Sequence, residues 1–372
     1  MNESYVLFCA GEDSGDILGA LAVSTVISSS IKAIGIGGPR MQKAGLKLIG
    51  RFEDLAVSGF KDVLAHYLPL RRALSALTRS LESPQCKALV LIDYPGLNMR
   101  LVKLAKKQAK PILYIAPPQI WAWKPKRALL LQGVSLGVLF DFEKQAYENF
   151  GCRATKLEFP FLEFAKKAID QKQQKKEFIL LLPGSRRLQM RRNMPLFIKL
   201  VAPLQKKNPD LQFKLVASRP SLLKEMEKWE CHGVESILVP EEPSERACFF
   251  STARLIIAPP GSSILEASLA GTPALACSRI DFLTYVLGIL LVRTRFFSLP
   301  NILLNKKVVP ELLTPASIFH KKAVNSILSE IKKIDENDLR SGVPLLQKAC
   351  EGLSIKNLTL EFLVNVVDWD SK

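Results

Sequence analysis

The chain is poor in the residues from which metal sites and disulfide frameworks are built. It has 372 residues but only three histidines, and its seven cysteines are spread singly, without a CxxC pair. Structural zinc sites need closely spaced cysteine and histidine ligands, so the spacing argues against one. Single cysteines in an odd number are typical of a reducing compartment rather than of a disulfide-stabilised secreted protein.

Targeting signals and long apolar runs are also absent. The N-terminal sequence MNESYVLFCAGEDSGD lacks the basic region, apolar run and small-residue cleavage site of a signal peptide. The run FLTYVLGILLV, residues 282–292, is shorter than the roughly 20 residues that cross a bilayer. We therefore expect a protein that is soluble or lies on a membrane surface.

Acidic residues are scarce relative to basic ones. The sequence has 35 Asp and Glu against 52 Lys and Arg, which leaves a formal net charge of +17. Such an excess favours an anionic partner, which is a nucleic acid, a phosphorylated substrate or an anionic membrane surface. The length and the 48% hydrophobic content predict a packed protein of two domains.

Short apolar runs alternate with longer segments of helical periodicity, which predicts parallel sheets built from right-handed crossovers. Ten strands are predicted, at residues 5–10, 32–35, 88–93, 111–116, 135–140, 178–182, 212–216, 236–239, 254–258 and 273–277. The lysine-rich stretch 165–178 predicts a linker, or a frayed helix ending in one, between two α/β halves. Many strands end at Gly, Pro or an acidic residue, where ligands bind in such sheets.

Three turns in the first half follow predicted strands. In GEDSGD, Gly15 allows a tight turn, and Ser14 or Asp13 can cap a helix that would bind an anion; a simple capped turn is equally compatible. GIGGPRMQKAG fails the dinucleotide fingerprint and is expected to accept a ligand's edge. In LIDYPGLN, Asp93 is placed to accept a proton from a substrate hydroxyl, or else caps the next turn.

The second half has a strand that runs into LLPGSRR. Gly184 lets the backbone turn, Ser185 supplies a hydroxyl donor, and Arg186 and Arg187 offer bidentate donors to phosphate. The lysine and spacing of a Walker A loop are missing. The pattern favours a phosphate-binding turn over a solvated basic patch.

A second Gly-Ser turn, APPGSSILEASLAGTP, follows a later strand. Gly261, Ser262 and Ser263 open a helix with N–H and hydroxyl groups that suit a diphosphate. Glu266, one turn further on, suits a ribose diol, or simply favours the helix dipole.

Two segments place apolar or aromatic residues beside basic ones. Residues 57–77 carry an apolar face, from Phe60 to Leu74, that would lie in a membrane interface, hold an acyl chain or pack as an ordinary amphipathic helix. PPQIWAWKPKR has Trp121 and Trp123 next to lysines, as in a stacking platform for nucleic acid; core packing is the alternative, and we expect it of Trp123.

Taken in order, these motifs resemble those of the lipid-A-disaccharide synthases, glycosyltransferases of the lipopolysaccharide pathway. The resemblance covers roughly residues 5 to 360 and rests on AGEDSGDILGA, GIGGPRMQKAGL, LIDYPGLNMRL, QIWAWKPKR, FEK, LLPGSRR, GTP and SLPNILLNKKVVPELL. It implies the α/β architecture called GT-B, two Rossmann-like domains with parallel sheets facing across a cleft and a C-terminal helix returning to the first. Residues 1–165 with 350–372 would bind the acceptor lipid, and 175–349 the UDP-sugar.

The resemblance also implies a reaction, inverting and without metal or cofactor. UDP-2,3-diacylglucosamine donates its sugar to 2,3-diacylglucosamine 1-phosphate (lipid X), which gives a β-1,6-linked disaccharide 1-phosphate and UDP. Asp93 matches the family's important aspartate, the base, and Arg186 the arginine that stabilises departing UDP. The further substrate or nucleotide contacts expected are Ser14, Gly15, Gln119, Trp121, Gly184, Ser185, Gly261, Ser262, Ser263, Glu266, Asn301 and Glu311.

By the same resemblance the chain would act in the cytoplasm, peripherally on the anionic inner face of the inner membrane, which its positive charge suits. A homodimer is left open. The alternatives are a GT-B relative acting on another UDP-sugar, and a UDP-sugar 2-epimerase. Nucleic-acid binding is not expected, since the basic residues cluster at strand ends beside Gly-Ser turns instead of alternating with aromatics.

Several positions depart from the family pattern. Gln189 replaces a glutamate, and Phe159 replaces the histidine of a Gly-His-Pro turn. Where the family has Ser-Gly-Thr before the nucleotide helix, this chain has Pro260, Gly261 and Ser262. Gly96 removes a second carboxylate near Asp93, which leaves Asp93 as the better base candidate. The family's histidine is expected to contact the donor, so its replacement by Phe159 predicts altered acyl or sugar preference, or reduced activity.

Overall fold

The computed structural model describes residues 4–11, 13–51, 60–122, 124–171, 178–229, 233–281, 295–315, 320–334, 336–365 and 367. The chain forms two compact units. Unit 1 comprises Met1–Pro160 with Cys350–Lys372, and unit 2 comprises Phe161–Ala349.

Unit 1 is built on a seven-stranded parallel sheet. Its strands are β1 (Tyr5–Ala10), β2 (Lys32–Gly37), β3 (Lys47–Arg51), β4 (Cys86–Ile92), β5 (Ile112–Ile115), β6 (Ser135–Val138) and β7 (Ala154–Lys156). They lie in the order β3-β2-β1-β4-β5-β6-β7, so the winding direction reverses between β1 and β4. In such sheets the reversal marks the crevice where ligands bind.

The helices of unit 1 cover both faces of this sheet, which is why the central strands are apolar along most of their length. Residues 6–10 of β1 and 88–92 of β4 are fully buried. The helices are α1 (Asp13–Ser28), α2 (Pro39–Lys43), α3 (Phe60–Glu82), α4 (Pro95–Lys107), a 3₁₀ helix (Pro125–Leu131) and α5 (Asp141–Glu148).

Unit 2 repeats the plan with six parallel strands in the order β10-β9-β8-β11-β12-β13, so its reversal lies between β8 and β11. The strands are β8 (Phe178–Leu181), β9 (Gln212–Ala217), β10 (Val234–Leu238), β11 (Leu255–Ala258), β12 (Ala274–Ile280) and β13 (Glu311–Pro315). The helices are α6 (Leu162–Asp170), α7 (Arg187–Gln205), α8 (Pro220–Met226), α9 (Pro243–Thr252), α10 (Ser262–Leu269), α11 (Leu299–Leu304), α12 (His320–Ile331) and α13 (Glu336–Ala349).

The C-terminal segment returns to unit 1. Its helix, α14 (Ile355–Asn365), packs on α1 and buries Leu358, Phe362 and Leu363 in the core beneath the sheet. Leu353, just before the helix, pairs with Leu157 after β7, and the Glu158 N–H donates to the Leu353 carbonyl at 2.9 Å. The returning segment is therefore held by both backbone pairing and apolar burial.

The predicted fold, two Rossmann-like units with parallel sheets and a returning C-terminal helix, is confirmed, and all ten predicted strands are present. Three further strands, β3, β7 and β13, were not predicted; each lies at the edge of its sheet. The start of the predicted linker is helical, because α6 continues to Asp170 and packs on α9. None of the helices in the described ranges is long and apolar enough to cross a membrane.

Some expectations fall on residues that the structure does not describe. These are the apolar run at 282–292, Trp123 and the side chains of residues 60–70 in the amphipathic segment. Beyond them in α3, Leu74 packs on the core of unit 1 while Arg71 and Arg72 are exposed, as in an ordinary amphipathic helix.

Candidate active site

The switch point of unit 1 brings Asp93 and Ser14 together. β1 and β4 are hydrogen-bonded neighbours with Ala10 opposite Ile92, so the turns after them emerge side by side. Asp93 is the first residue after β4, and Ser14 lies in the first turn of α1. The Ser14 hydroxyl donates to Asp93 Oδ2 at 3.4 Å, and both side chains reach solvent. A half-buried carboxylate at this edge is suited to general base chemistry.

Two buried side chains fix the backbone that carries Asp93. Asp93 and Tyr94 both have left-handed backbone conformations, with φ of 48° and 46°, which cost free energy unless the surroundings hold them. Asn98 Nδ2 donates to the Asp93 carbonyl at 2.7 Å, and the Tyr114 hydroxyl donates to the same carbonyl at 2.8 Å. The position of the carboxylate is thus set by residues on α4 and β5.

The two glycines of the GEDSGD turn, Gly11 before α1 and Gly15 in its first turn, have different roles. Tyr94 lies directly on Gly11, where a Cβ would come within 2.2 Å of the ring, so only glycine fits. Gly15 is buried between Ala10 and Ile92, and a Cβ there would make ordinary contacts at 3.5 Å. Gly15 therefore packs α1 on the sheet, and its substrate contact stays a prediction.

A second carboxylate, Glu143, lies in this site and was not predicted. It belongs to the first turn of α5, where Oε2 accepts from the Leu139 N–H at 3.1 Å and Oε1 accepts from Trp121 Nε1 at 3.3 Å. Burial raises the pKa of Glu143 to about 7, against the hydrogen bonds from Leu139 and Trp121, and the negative charge of Asp93 adds to the rise. The acidic residue in FEK was the signal that could have found it.

Trp121 stands at the end of a row of aromatic rings. Its indole meets Phe142 edge-on at 4.9 Å, Phe142 stacks on Phe140 at 5.5 Å, and Phe140 stacks on Phe159 at 6.3 Å. Phe159, the residue that departs from the family pattern, is buried and so extends an apolar row toward Trp121. Gln119, two residues earlier, is exposed.

The backbone N–H groups of the GIGGPR turn bind a carboxylate of the chain itself. Asp16, 1% exposed on α1, accepts hydrogen bonds from the backbone N–H groups of Gly38 (3.0 Å), Arg40 (2.9 Å) and Met41 (2.9 Å). These are the donors that a ligand would use at the start of α2. The expectation that this turn accepts a ligand's edge is wrong for these three groups.

In unit 2, both Gly-Ser turns emerge at the switch point. Leu181 of β8 lies opposite Ile257 of β11, and the helices that follow these strands, α7 and α10, begin at Arg187 and Ser262. The turns, which follow neighbouring strands, contain Gly184, Ser185, Arg186, Gly261, Ser262 and Ser263. Two helix N-termini converging on exposed hydroxyls form a natural binding place for an anion.

The first of these turns is tightly built. Gly184 has φ of 132°, and Gln189 of α7 folds over it, so a Cβ there would lie 2.5 Å from Gln189 Oε1. Buried Asn193 donates from Nδ2 to the Pro183 carbonyl at 2.7 Å and accepts from the Arg279 N–H at 2.7 Å. Asn193 thereby ties the turn to β12, a role that the sequence did not reveal.

The two arginines of LLPGSRR point to different tasks. Arg187 and Arg191 form ion pairs with Glu225 of α8, which is almost fully buried. Burial opposes ionisation of Glu225, but the hydrogen bonds and charges of Arg191 and Arg187 outweigh it and lower its pKa. Arg186 is the exposed residue directly before α7, which is where an incoming phosphate would meet it.

Three other predicted nucleotide contacts have partners inside unit 2. Glu266 Oε2 lies 3.3 Å from Arg246 Nε in a buried ion pair. Asn301 accepts from the N–H groups of Val308 and Val309 and donates to the Val309 carbonyl; Glu311 accepts from the Ser298 N–H at 2.7 Å. Their contacts with a nucleotide stay predictions.

Comparison with known families identifies the family of the chain. A family profile described as "Lipid-A-disaccharide synthetase" matches residues 6–355. The chain belongs to the lipid-A-disaccharide synthase family. Lipid-A-disaccharide synthase 1 of Legionella pneumophila strain Paris is 31% identical over 328 residues, 84% of each chain. Lipid-A-disaccharide synthase of Trichlorobacter lovleyi is 33% identical over 324 residues, 83% of each chain.

Solved structures resemble this synthase-family chain in fold. The UDP-GlcNAc 2-epimerase from Neisseria meningitidis bound to UDP-GlcNAc matches with a TM-score of 0.57 and 13% identity, over 97% of this chain and 98% of that one. The calicheamicin glycosyltransferase CalG4 matches with a TM-score of 0.55 and 12% identity, over 99% and 100%. At these identities the likeness establishes the shared α/β architecture alone.

Proposed function

We propose that this chain is an inverting glycosyltransferase that joins the sugar of UDP-2,3-diacylglucosamine to 2,3-diacylglucosamine 1-phosphate. Family membership supports the reaction and both substrates. The observation that carries the assignment of residues is the place of Asp93: it follows β4 at the switch point, touches Ser14 and is held by Asn98 and Tyr114. We assign the acceptor to this site in unit 1 and the UDP group to the switch point of unit 2.

Asp93 acts as the base. It takes the proton of the acceptor's 6-hydroxyl as the oxygen's electron pair forms a bond to the anomeric carbon of the donor. The bond from that carbon to the UDP oxygen breaks, and its electrons leave with UDP. Attack from the face opposite UDP inverts the anomeric centre. Ser14 donates to Asp93 Oδ2, which orients the carboxylate for this transfer.

Unit 2 stabilises the departing diphosphate. The N-termini of α7 and α10 carry partial positive charge, and Arg186 adds a full charge beside them. Arg187 has a different role, because it neutralises Glu225. We assign Gly184, Ser185, Gly261, Ser262 and Ser263 to backbone and hydroxyl contacts with the phosphates, and Glu266, Asn301 and Glu311 to the surroundings of the nucleoside.

A positive net charge of +17 supports a peripheral location on an anionic membrane surface. Co-sedimentation with vesicles of phosphatidylglycerol tests this: binding that weakens as salt rises is expected, and no binding at low salt would reject it. Light scattering on the purified chain decides whether it forms a homodimer.

The decisive assay combines the purified chain with radiolabelled lipid X and UDP-2,3-diacylglucosamine. A labelled tetraacyl disaccharide and an equal amount of UDP are expected. Asp93→Asn is expected to lower turnover by roughly 10²–10⁴-fold and Arg186→Ala by roughly 10²–10³-fold, with normal thermal unfolding. Asp141→Asn, at an exposed carboxylate of α5, is the control. Epimerisation of UDP-GlcNAc without disaccharide formation would reject the proposal.

A further inference from the structure

Glu143 has a chemistry that the reaction as described does not use. It is a second carboxylate of the site, and Gly96 in this chain takes the place of another one that the family pattern carries. Its two oxygens accept hydrogen bonds, one from the Trp121 indole and one from the Leu139 backbone. A carboxylate that accepts from two separate groups is suited to holding those groups in place.

The two groups that Glu143 holds belong to different parts of the site. Trp121 follows β5, whereas Leu139 follows β6, so Glu143 ties the two loops together at the carboxyl edge of the sheet. Phe142 also packs edge-on against the indole. Trp121 therefore has a fixed orientation, and the residue that fixes its polar edge is Glu143.

We propose that Glu143 is a positioning residue of the acceptor site: it holds the Trp121 indole against the acceptor sugar. This rests on the proposed function, since it assumes that the acceptor binds in unit 1 next to Trp121. Glu143 neither gains nor loses a proton in the reaction.

The charge of Glu143 decides how firmly it holds the indole. Burial raises the pKa of Glu143 to about 7, so it is protonated in mild acid and ionised above neutrality. A hydrogen bond to an ionised carboxylate is stronger than one to a neutral group, so Trp121 is held more firmly at higher pH.

Other titratable groups around Glu143 keep their charge across this range. Tyr147, one turn along α5, has a pKa raised by burial and then by Glu143, with an opposing contribution from Arg127. Tyr114 of β5 has a pKa raised by burial and then by Asp93 and Tyr147. Both phenols therefore stay neutral at pH 5.5–9. Among these groups, a pH change in this range alters the charge of Glu143.

The experiment uses two variants of Glu143, one that removes its charge and one that shortens its reach. Wild type is expected to show kcat/KM for lipid X rising with pH around a midpoint near 7. Glu143→Gln should lose this rise and fall about tenfold at pH 8, the loss of one charge-assisted hydrogen bond. Glu143→Asp keeps the charge but shortens the reach, so it should keep the rise and increase KM for lipid X. Glu148→Gln, on the exposed face of the same helix, is the matched control and should match wild type.

A second measurement needs no activity. The tryptophan fluorescence of wild type, titrated between pH 5.5 and 9, should show a transition near pH 7 that both Trp121→Phe and Glu143→Gln abolish. A transition that survives in Glu143→Gln overturns the positioning role, as does an unchanged KM for lipid X in Glu143→Asp. A pH rise that survives in Glu143→Gln also overturns the proposal, because the rise is attributed to ionisation of Glu143. If wild type forms no disaccharide, the proposed function fails, while the titration still decides how Trp121 is held.

Discussion

Asp16 offers the sharpest test of how the first half of the site is built. Its carboxylate accepts three backbone hydrogen bonds of 2.9–3.0 Å from residues 38, 40 and 41, and the residue is 1% exposed. Asp16→Asn keeps the shape of the side chain but replaces one oxygen by an NH₂ group. We expect this variant to destabilise unit 1 without touching a substrate contact.

The magnitude follows from the geometry. Oδ1 accepts from Gly38 and Met41, and Oδ2 from Arg40, so the amide oxygen of asparagine can keep the first pair only if its NH₂ faces the Arg40 N–H. The hydrogen bond from the Arg40 N–H is then replaced by a repulsive contact between two donors. The other two hydrogen bonds lose the negative charge that strengthens them. Bonds to a charged group contribute about 1.5–3 kcal/mol each, so a loss of roughly 2–4 kcal/mol is expected. Asp16→Ala leaves all three N–H groups without this acceptor and should lower the free energy of unfolding further.

Because two units can unfold separately, the assay must report on unit 1 itself. Hydrogen exchange followed by mass spectrometry does so: the peptide containing residues 38–41 should exchange faster in Asp16→Asn, alongside a lower urea midpoint. Asp141→Asn is the control, since its exposed ion pair with Lys156 is expected to contribute at most about 1 kcal/mol. Equal stability in the two variants would refute the assigned role of Asp16. A loss of activity with normal hydrogen exchange would indicate that Asp16 contacts a ligand instead.

Two further predictions test the packing around the sites. Gly11→Ala should displace Tyr94, whose ring lies 2.2 Å from the new Cβ, and lower transfer activity. Gly96→Ala meets nothing within 4 Å and should leave the fold unchanged or slightly stabilised. Activity and thermal unfolding of both variants test this. Removing one partner of the buried Arg246–Glu266 pair, as Arg246→Met or Glu266→Leu, should destabilise unit 2 by about 3–5 kcal/mol, and the double variant by less than the sum; additive losses in a thermal double-mutant cycle would contradict it.

The sequence predicted the inner strands because burial on both sides leaves a continuous apolar signature. Residues 88–92 of β4 and all four residues of β11 are such runs, and they are buried. The edge strands carry no such signal: β13 has three half-buried residues out of five, and β7 has only three residues. What identifies them as strands is the pairing with a neighbour, which depends on the assembled sheet.

The site was predictable where it follows from a turn and its strand, as for Asp93, Ser14 and the two Gly-Ser turns. Side chains whose role depends on a distant partner were not predictable. LLPGSRR gave no reason to separate Arg186 from Arg187, because the residue that engages Arg187 is Glu225, 38 residues further along the chain. Likewise Asn98 and Tyr114 act on the carbonyl of Asp93, and nothing in their local sequence indicates it.

The two turns GIGGPR and LLPGSR show why topology decides where an anion binds. Each joins a buried strand to a helix through Gly and Pro and ends in arginine. The first follows β2, one strand away from the switch point, and Asp16 occupies its N–H groups; Glu311 likewise accepts from residues 297 and 298 at the start of α11. The starts of α7 and α10, by contrast, both lie at the switch point of their sheet. At the starts of α2 and α11 the N–H groups are bound by carboxylates of the chain itself, so the composition of a turn gains its meaning from the strand it follows.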